Sequence, residues 1–90
     1  MGVLLITYDL NQETKRPNVT GHLKKRYPDW AKLSESSYAV NTSDSVEAAF
    51  NHMRQMLDDN DHIYIIHLRR PYAGFGPPAV NDMLERTLQF

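Results

Sequence analysis

Asp9 is the residue of this 90-residue chain whose type and position most directly suggest chemistry. It follows the apolar run MGVLLITY, residues 1–8, which reads as a central strand buried on both faces, so its carboxylate stands at the C-terminal edge of a sheet. A carboxylate in that position can hold magnesium together with water and a substrate phosphate, the arrangement used for phosphodiester hydrolysis. Asp9-Leu10-Asn11 is equally a turn signal, and spacing alone favours that simpler reading. Magnesium is the one cofactor that these residues leave open.

Other chemistries fall away in turn. The absence of cysteine removes a disulfide framework, a zinc ribbon, an iron–sulfur centre and a thiol nucleophile, and it agrees with a reducing cytoplasm. The four histidines show no H-x-x-x-H or H-E-x-x-H spacing, which argues against a zinc site. His62 and His67 flank one predicted strand five residues apart, so the pleat sends them to opposite faces. Ser34, Ser36, Ser43 and Ser45 fall in predicted turns or caps, and no G-x-S-x-G elbow is present. Gly74-x-Gly76 runs into Pro77-Pro78, which lack the N–H groups a phosphate cradle needs. Asp58-Asp59-Asn60-Asp61 lacks the remainder of an EF-hand loop and reads as a solvated turn.

Charge gives a second lead. The net charge of -1 argues against a globally basic nucleic-acid binder, yet Lys15, Arg16, Lys24, Lys25, Arg26 and Lys32 cluster against Asp29 alone. Arg16, Lys24, Lys25 and Arg26, with Trp30 as a stacking surface, are the candidate contacts to RNA or DNA. The competing reading is that this basic segment complements the acidic one at residues 44–61. Arg69-Arg70 reads as a solvated point in a loop.

The elements that must position these groups follow from periodicity and punctuation. A helix opens at Pro17 and ends at Pro28, with Val19, Leu23 and Tyr27 inward and His22, Lys25 and Arg26 outward. Residues 30–33 and 37–42 form a hairpin about Ser34-Glu35-Ser36, with one face of its second strand packed and the other partly open. Asp44, three residues before Glu47, resembles a capping box for a second helix whose stripe is Val46, Ala49, Phe50, Met53 and Leu57. Residues 62–68 predict a strand beside the first, buried on both faces, and residues 78–88 a terminal helix with Val80, Leu84 and Leu88 on one side. The order β-α-β-β-α-β plus a helix predicts one α+β domain over residues 1–90, a ferredoxin-like βαββαβ sandwich with an antiparallel four-stranded sheet and an added C-terminal helix. Both central helices then lie on one sheet face, and either the terminal helix or a second copy covers the other. The apolar runs at residues 3–6 and 63–66 are too short to span a bilayer or to serve as a signal segment, so the expectation is a cytoplasmic protein with no membrane partner.

Taken together, VLLITYDL ending at Asp9, Arg16 opening a helix, Tyr27, Ser37-Tyr38-Ala39-Val40 and LDDNDHIYIIHL resemble the small CRISPR-associated adaptation proteins, and more closely their SinR-like relatives, a superfamily that also contains the VapD toxins. The resemblance implies a ferredoxin-like fold, a homodimer built through the sheets and a nucleic-acid or host-defence setting. In nuclease members the aspartate ending the first strand of each subunit brackets a magnesium ion at the dimer interface, which Asp9 matches here. Arg16 matches a basic position and Ser37 the serine opening the third strand, which makes Asp9 and Ser37 the candidate catalytic pair. Tyr38-Ala39 stands where the pattern has Val-Phe, Pro28 where it has glycine, and a terminal helix where the adaptation proteins have a strand. The expected function is a homodimeric binding or structural module; the alternative is a magnesium-dependent nuclease with Asp9 from both subunits.

Overall fold

β1 (Gly2–Asp9) runs through the interior of the sheet, as its apolar sequence requires. The computed structural model describes residues 2–90, so the predicted start of this strand at Met1 lies outside the described residues. β1 pairs antiparallel with β3 (Ser37–Thr42) on one side and β4 (His62–Leu68) on the other. β2 (Trp30–Ser34) forms the hairpin with β3, giving the order β2-β3-β1-β4. A short 3-10 turn at Glu13–Lys15 leads into α1 (Arg16–Arg26), and α2 (Val46–Arg54) joins β3 to β4. α3 (Pro78–Thr87) follows the last strand. The architecture is the expected α+β, ferredoxin-like sandwich with an extra C-terminal helix.

The pleat divides the apolar residues between two cores. Leu4, Ile6, Tyr8, Tyr38 and Val40 face α1 and α2 and meet Val19, Leu23, Ala49 and Met53. Val3, Ala31 and Ala39 face the other way and meet Met83 and Leu88 around α3. With a helix on each side, Tyr38, Ala39 and Val40 are all buried, so β3 is closed on both faces rather than partly open. α3 lies against β2 and does not extend over the far end of β1 and β4. β4 is therefore an edge strand with one face open, not a doubly buried one: Tyr64 is 69% and Ile66 50% exposed. Its isoleucines signal strand propensity, and it is the strand order that leaves them half covered.

Local contacts refine three expectations. His22 is not an outward residue: its ring stacks on His52 of α2 at 3.8 Å, and the Nε2 of each histidine donates to the main-chain carbonyl of the other. Burial lowers the His52 pKa, favouring the neutral ring that this stack needs. The α2 cap is Ser45 rather than Asp44, because its extended backbone brings Oγ within 3.1 Å of the Ala48 N–H. Asp44 instead accepts from Arg26 and from the Tyr27 hydroxyl at 2.8 Å, tying α2 to the end of α1.

Asp61 is also not a solvated turn residue. Its side chain is fully buried, and it accepts from Lys15, from the Asn11 N–H at 2.7 Å and from the Asp58 N–H at 2.8 Å. Burial alone would raise this carboxyl, but the Lys15 ammonium and the two main-chain donors outweigh it and bring the pKa down to about 2. The Tyr8 hydroxyl is the opposite case, buried with no hydrogen-bond partner among the described residues, and its pKa is pushed up to about 12, chiefly by burial.

These two sites predict effects of opposite sign. Asp61→Asn leaves buried donors poorly matched and lowers unfolding free energy in urea by about 1–3 kcal/mol, whereas Tyr8→Phe removes an unpaired polar atom and is neutral or stabilising. Because the Asp61 pKa is depressed on folding, its stabilisation is complete above the ordinary aspartate value of about 3.9 and is lost as pH falls towards 2. Acid unfolding over that window is accordingly shallower in Asp61→Asn than in the wild type.

Candidate functional site

The end of the sheet that α3 leaves open carries the polar groups with the clearest functional potential. Asp9 is exposed and pairs in register with His62 across the β1–β4 ladder. Thr7, two residues back on the same face, pairs with Tyr64 on one side and Ser37 on the other. The Thr7 and Ser37 hydroxyls lie 2.8 Å apart. The fold thus places both residues of the predicted catalytic pair, Asp9 and Ser37, on one solvent-facing surface. His62, read in the sequence only as a strand-flanking histidine, and Thr7 join them there, because only the pairing register between strands distant in sequence brings these residues together.

One chain does not fit a metal ion at this point. Among the described residues no three histidine, aspartate or glutamate side chains converge. Asp9 is exposed and no second carboxylate among the described residues converges on it, so one subunit offers magnesium a single protein oxygen ligand set and leaves the rest of its shell to water and substrate. Only a second copy could supply another Asp9, and no reaction step through an ion follows from one subunit.

The basic surface is more committed than its charge count implies. Arg16 donates to Glu13 at 2.7 and 2.9 Å, to the Glu35 carbonyl and to Ser36 Oγ, fastening α1 to the β2–β3 turn. Arg26 is held by Asp44, whose carboxyl Arg26 and Tyr27 together keep below the usual aspartate range. Lys15 is taken by Asp58 and Asp61, and Lys32 by Glu35. Lys24 lies 4.2 Å from the centre of the Trp30 ring, covering the face a nucleobase would use. Of the candidate nucleic-acid contacts, Lys25 alone is exposed with no ion pair or ring contact among the described residues. Complementarity between the basic and acidic segments thus operates through identified pairs.

Arg70 is likewise structural rather than solvated: it donates to the Leu88 carbonyl and to Glu85, pinning the end of α3. Beside it, Leu33, Leu68, Phe75, Val80 and Leu84 border an apolar cavity of about 330 Å³, separate from Asp9. Among the described residues no helix is long and apolar enough to cross a membrane. Neither protein-family models nor curated proteins give a match to this chain.

Trp30 is the sole tryptophan, which makes the Lys24 contact directly measurable. Lys24→Ala uncovers the ring, and acrylamide quenching of its fluorescence is expected to rise without a change in the far-ultraviolet dichroism. Unchanged quenching would mean that Lys24 does not shield the ring in solution.

Proposed function

We propose that the chain acts as a homodimeric ferredoxin-like module with a binding or structural role in a nucleic-acid or host-defence setting, rather than as an enzyme. The observation that carries the reading is the uncovered apolar surface of Tyr64 and Ile66 beside half-buried Leu5. A small domain seldom leaves such residues adjacent unless a partner covers them. The nucleic-acid and host-defence setting and the cytoplasmic location rest on the sequence resemblance and on the cysteine-free composition. Lys25 and the Lys24–Trp30 pair are the groups through which RNA or DNA would be held, with Lys24 moving off the Trp30 ring to a phosphate as a base stacks there.

Sedimentation equilibrium is expected to report a dimer at micromolar concentration, and a strict monomer would refute the homodimer. Labelled single-stranded RNA and DNA are expected to bind at low salt and to dissociate steeply as salt rises, with Lys25→Gln and Lys24→Ala weakening both. No affinity at low salt would remove the nucleic-acid part of the proposal.

A second reading is supported by the position of Asp9 and Ser37 on one exposed face. In it the protein is a magnesium-dependent phosphodiesterase, with Asp9 from both subunits at the dimer interface and with Ser37 and Arg16 as phosphate contacts, Arg16 giving up its bonds to Glu13 for the phosphate. It requires that magnesium-dependent cleavage of RNA or DNA by the purified protein be abolished by Asp9→Asn. Cleavage at an unchanged rate in that variant would eliminate it.

A further inference from the structure

The free edge of β4 is the surface on which the homodimer reading can be made specific. The Tyr8 N–H donates to the Ser36 carbonyl at 2.9 Å, which continues the β1–β3 ladder and assigns the main-chain groups of Leu4, Ile6 and Tyr8 to β3. Val3, Leu5, Thr7 and Asp9 therefore exchange hydrogen bonds with Leu68, Ile66, Tyr64 and His62. What remains on β4 is alternate: Ile63, Ile65 and His67 point their N–H and C=O groups away from the sheet, with no strand beyond them. The strand HIYIIHL contains no proline, glycine, lysine or acidic residue, the devices that ordinarily keep an edge from pairing.

We infer that the partner on this edge is the β4 of a second copy, running antiparallel about a two-fold axis through Ile65 and joining the two sheets into one. This rests on the homodimer proposed above and specifies how it forms. The axis pairs Ile65 with itself and Ile63 with His67 of the second copy, so every outward main-chain group in the strand meets a partner. Tyr64 then stands opposite Ile66 at a close, non-hydrogen-bonded position, an aromatic–β-branched pair of the kind that stabilises sheets. The two most exposed apolar residues of the strand thereby cover each other across the seam.

The opposite face supplies charge complementarity. α2 packs over β4, and its edge-facing stripe is Glu47, Phe50 and Arg54, which border the grooves between helix and strand. Phe50 is 41% exposed, and Glu47 has no ion-pair partner among the described residues. Glu47 lines one groove with His67 and Arg54 lines another with His62, towards opposite ends of the strand. The two-fold turns α2 antiparallel to its copy, bringing Glu47 of each subunit towards Arg54 of the other with the Phe50 rings between them; Arg54 then exchanges its solvent-exposed contact with Asp59 for Glu47. One occupant thus accounts for exposed apolar side chains on both faces, for the unpaired main chain between them and for an unpartnered carboxylate.

Charge exchange across the seam tests this register. Tyr64→Glu and Ile66→Lys, each at an exposed position, are expected to weaken the dimer about tenfold or more by sedimentation, while the double substitution restores it because the two positions face each other. Phe50→Lys, on the other sheet face, is expected to weaken it as well. Far-ultraviolet dichroism matching the wild type confirms that each variant is folded, and the apparent melting temperature falls only as far as the lost association requires. A dimer indifferent to all three single substitutions, or one weakened by Tyr64→Glu without rescue in the double variant and unaffected by Phe50→Lys, overturns edge pairing while leaving the homodimer standing. A monomeric wild type overturns both.

Discussion

A four-stranded sheet has two faces to cover, and this chain has three short helices with which to do it. α1 and α2 take one face together, and α3 is left to cover the other alone. A helix of ten residues spans only about 15 Å along its axis, too little for the whole face. Where α3 lies, β3 is buried on both sides; where it does not, β1 and β4 expose Tyr64, Ile66 and Asp9. The position of the candidate site follows from that division of labour.

Charge is spent mostly inside the fold. Lys15 reaches the buried Asp61, which also gathers the main chain of Asn11 and Asp58, so one carboxylate ties the segment after β1 to the segment before β4. Arg26 and Tyr27 do the same for the start of α2 through Asp44, and Arg86 joins α3 to Asp29. Such contacts fix the connections of a sheet that is otherwise held by apolar burial. Exposed pairs such as Arg54–Asp59 contribute little by comparison, since solvent screens them. Lys25 keeps its charge for the outside, which is why the basic count of the first helix overstates its free positive surface.

The fold was legible in the sequence because its signals are local. MGVLLITY, the Pro17 and Pro28 boundaries and the apolar stripe of α1 each specify an element without reference to the others. The burial of β4 was not legible, since an isoleucine-rich edge strand and an isoleucine-rich central strand look alike until strand order is known. The same limit hid Asp61 among its acidic neighbours: three of the four residues in that turn are aspartates, and only the approach of Lys15 from residues distant in sequence selects one for burial. Asp44 and Ser45 both have capping chemistry, and the backbone angles, not the residue types, assign the cap to the second. For the site, the strand-end position of Asp9 could be read directly, whereas its pairing with His62 depends on a ladder register that no local pattern encodes.

Edge pairing and a shared Asp9 site impose incompatible demands on a dimer. Asp9 lies in register with His62, three residues along β4 from Ile65, and one strand further in. With strands about 4.8 Å apart and a rise of about 3.4 Å per residue, a two-fold axis through Ile65 sets the two Asp9 positions roughly 25 Å from each other. Carboxylates that share one magnesium ion must each reach within about 2.1 Å of it. Paired Asp9 residues would instead require the open faces to meet face to face, with Thr7 and Ser37 enclosed and the β4 edges left bare. The same surfaces therefore support either a continuous sheet with two independent aspartates or a stacked pair with one joint site, and the geometry of association decides between a structural module and a nuclease.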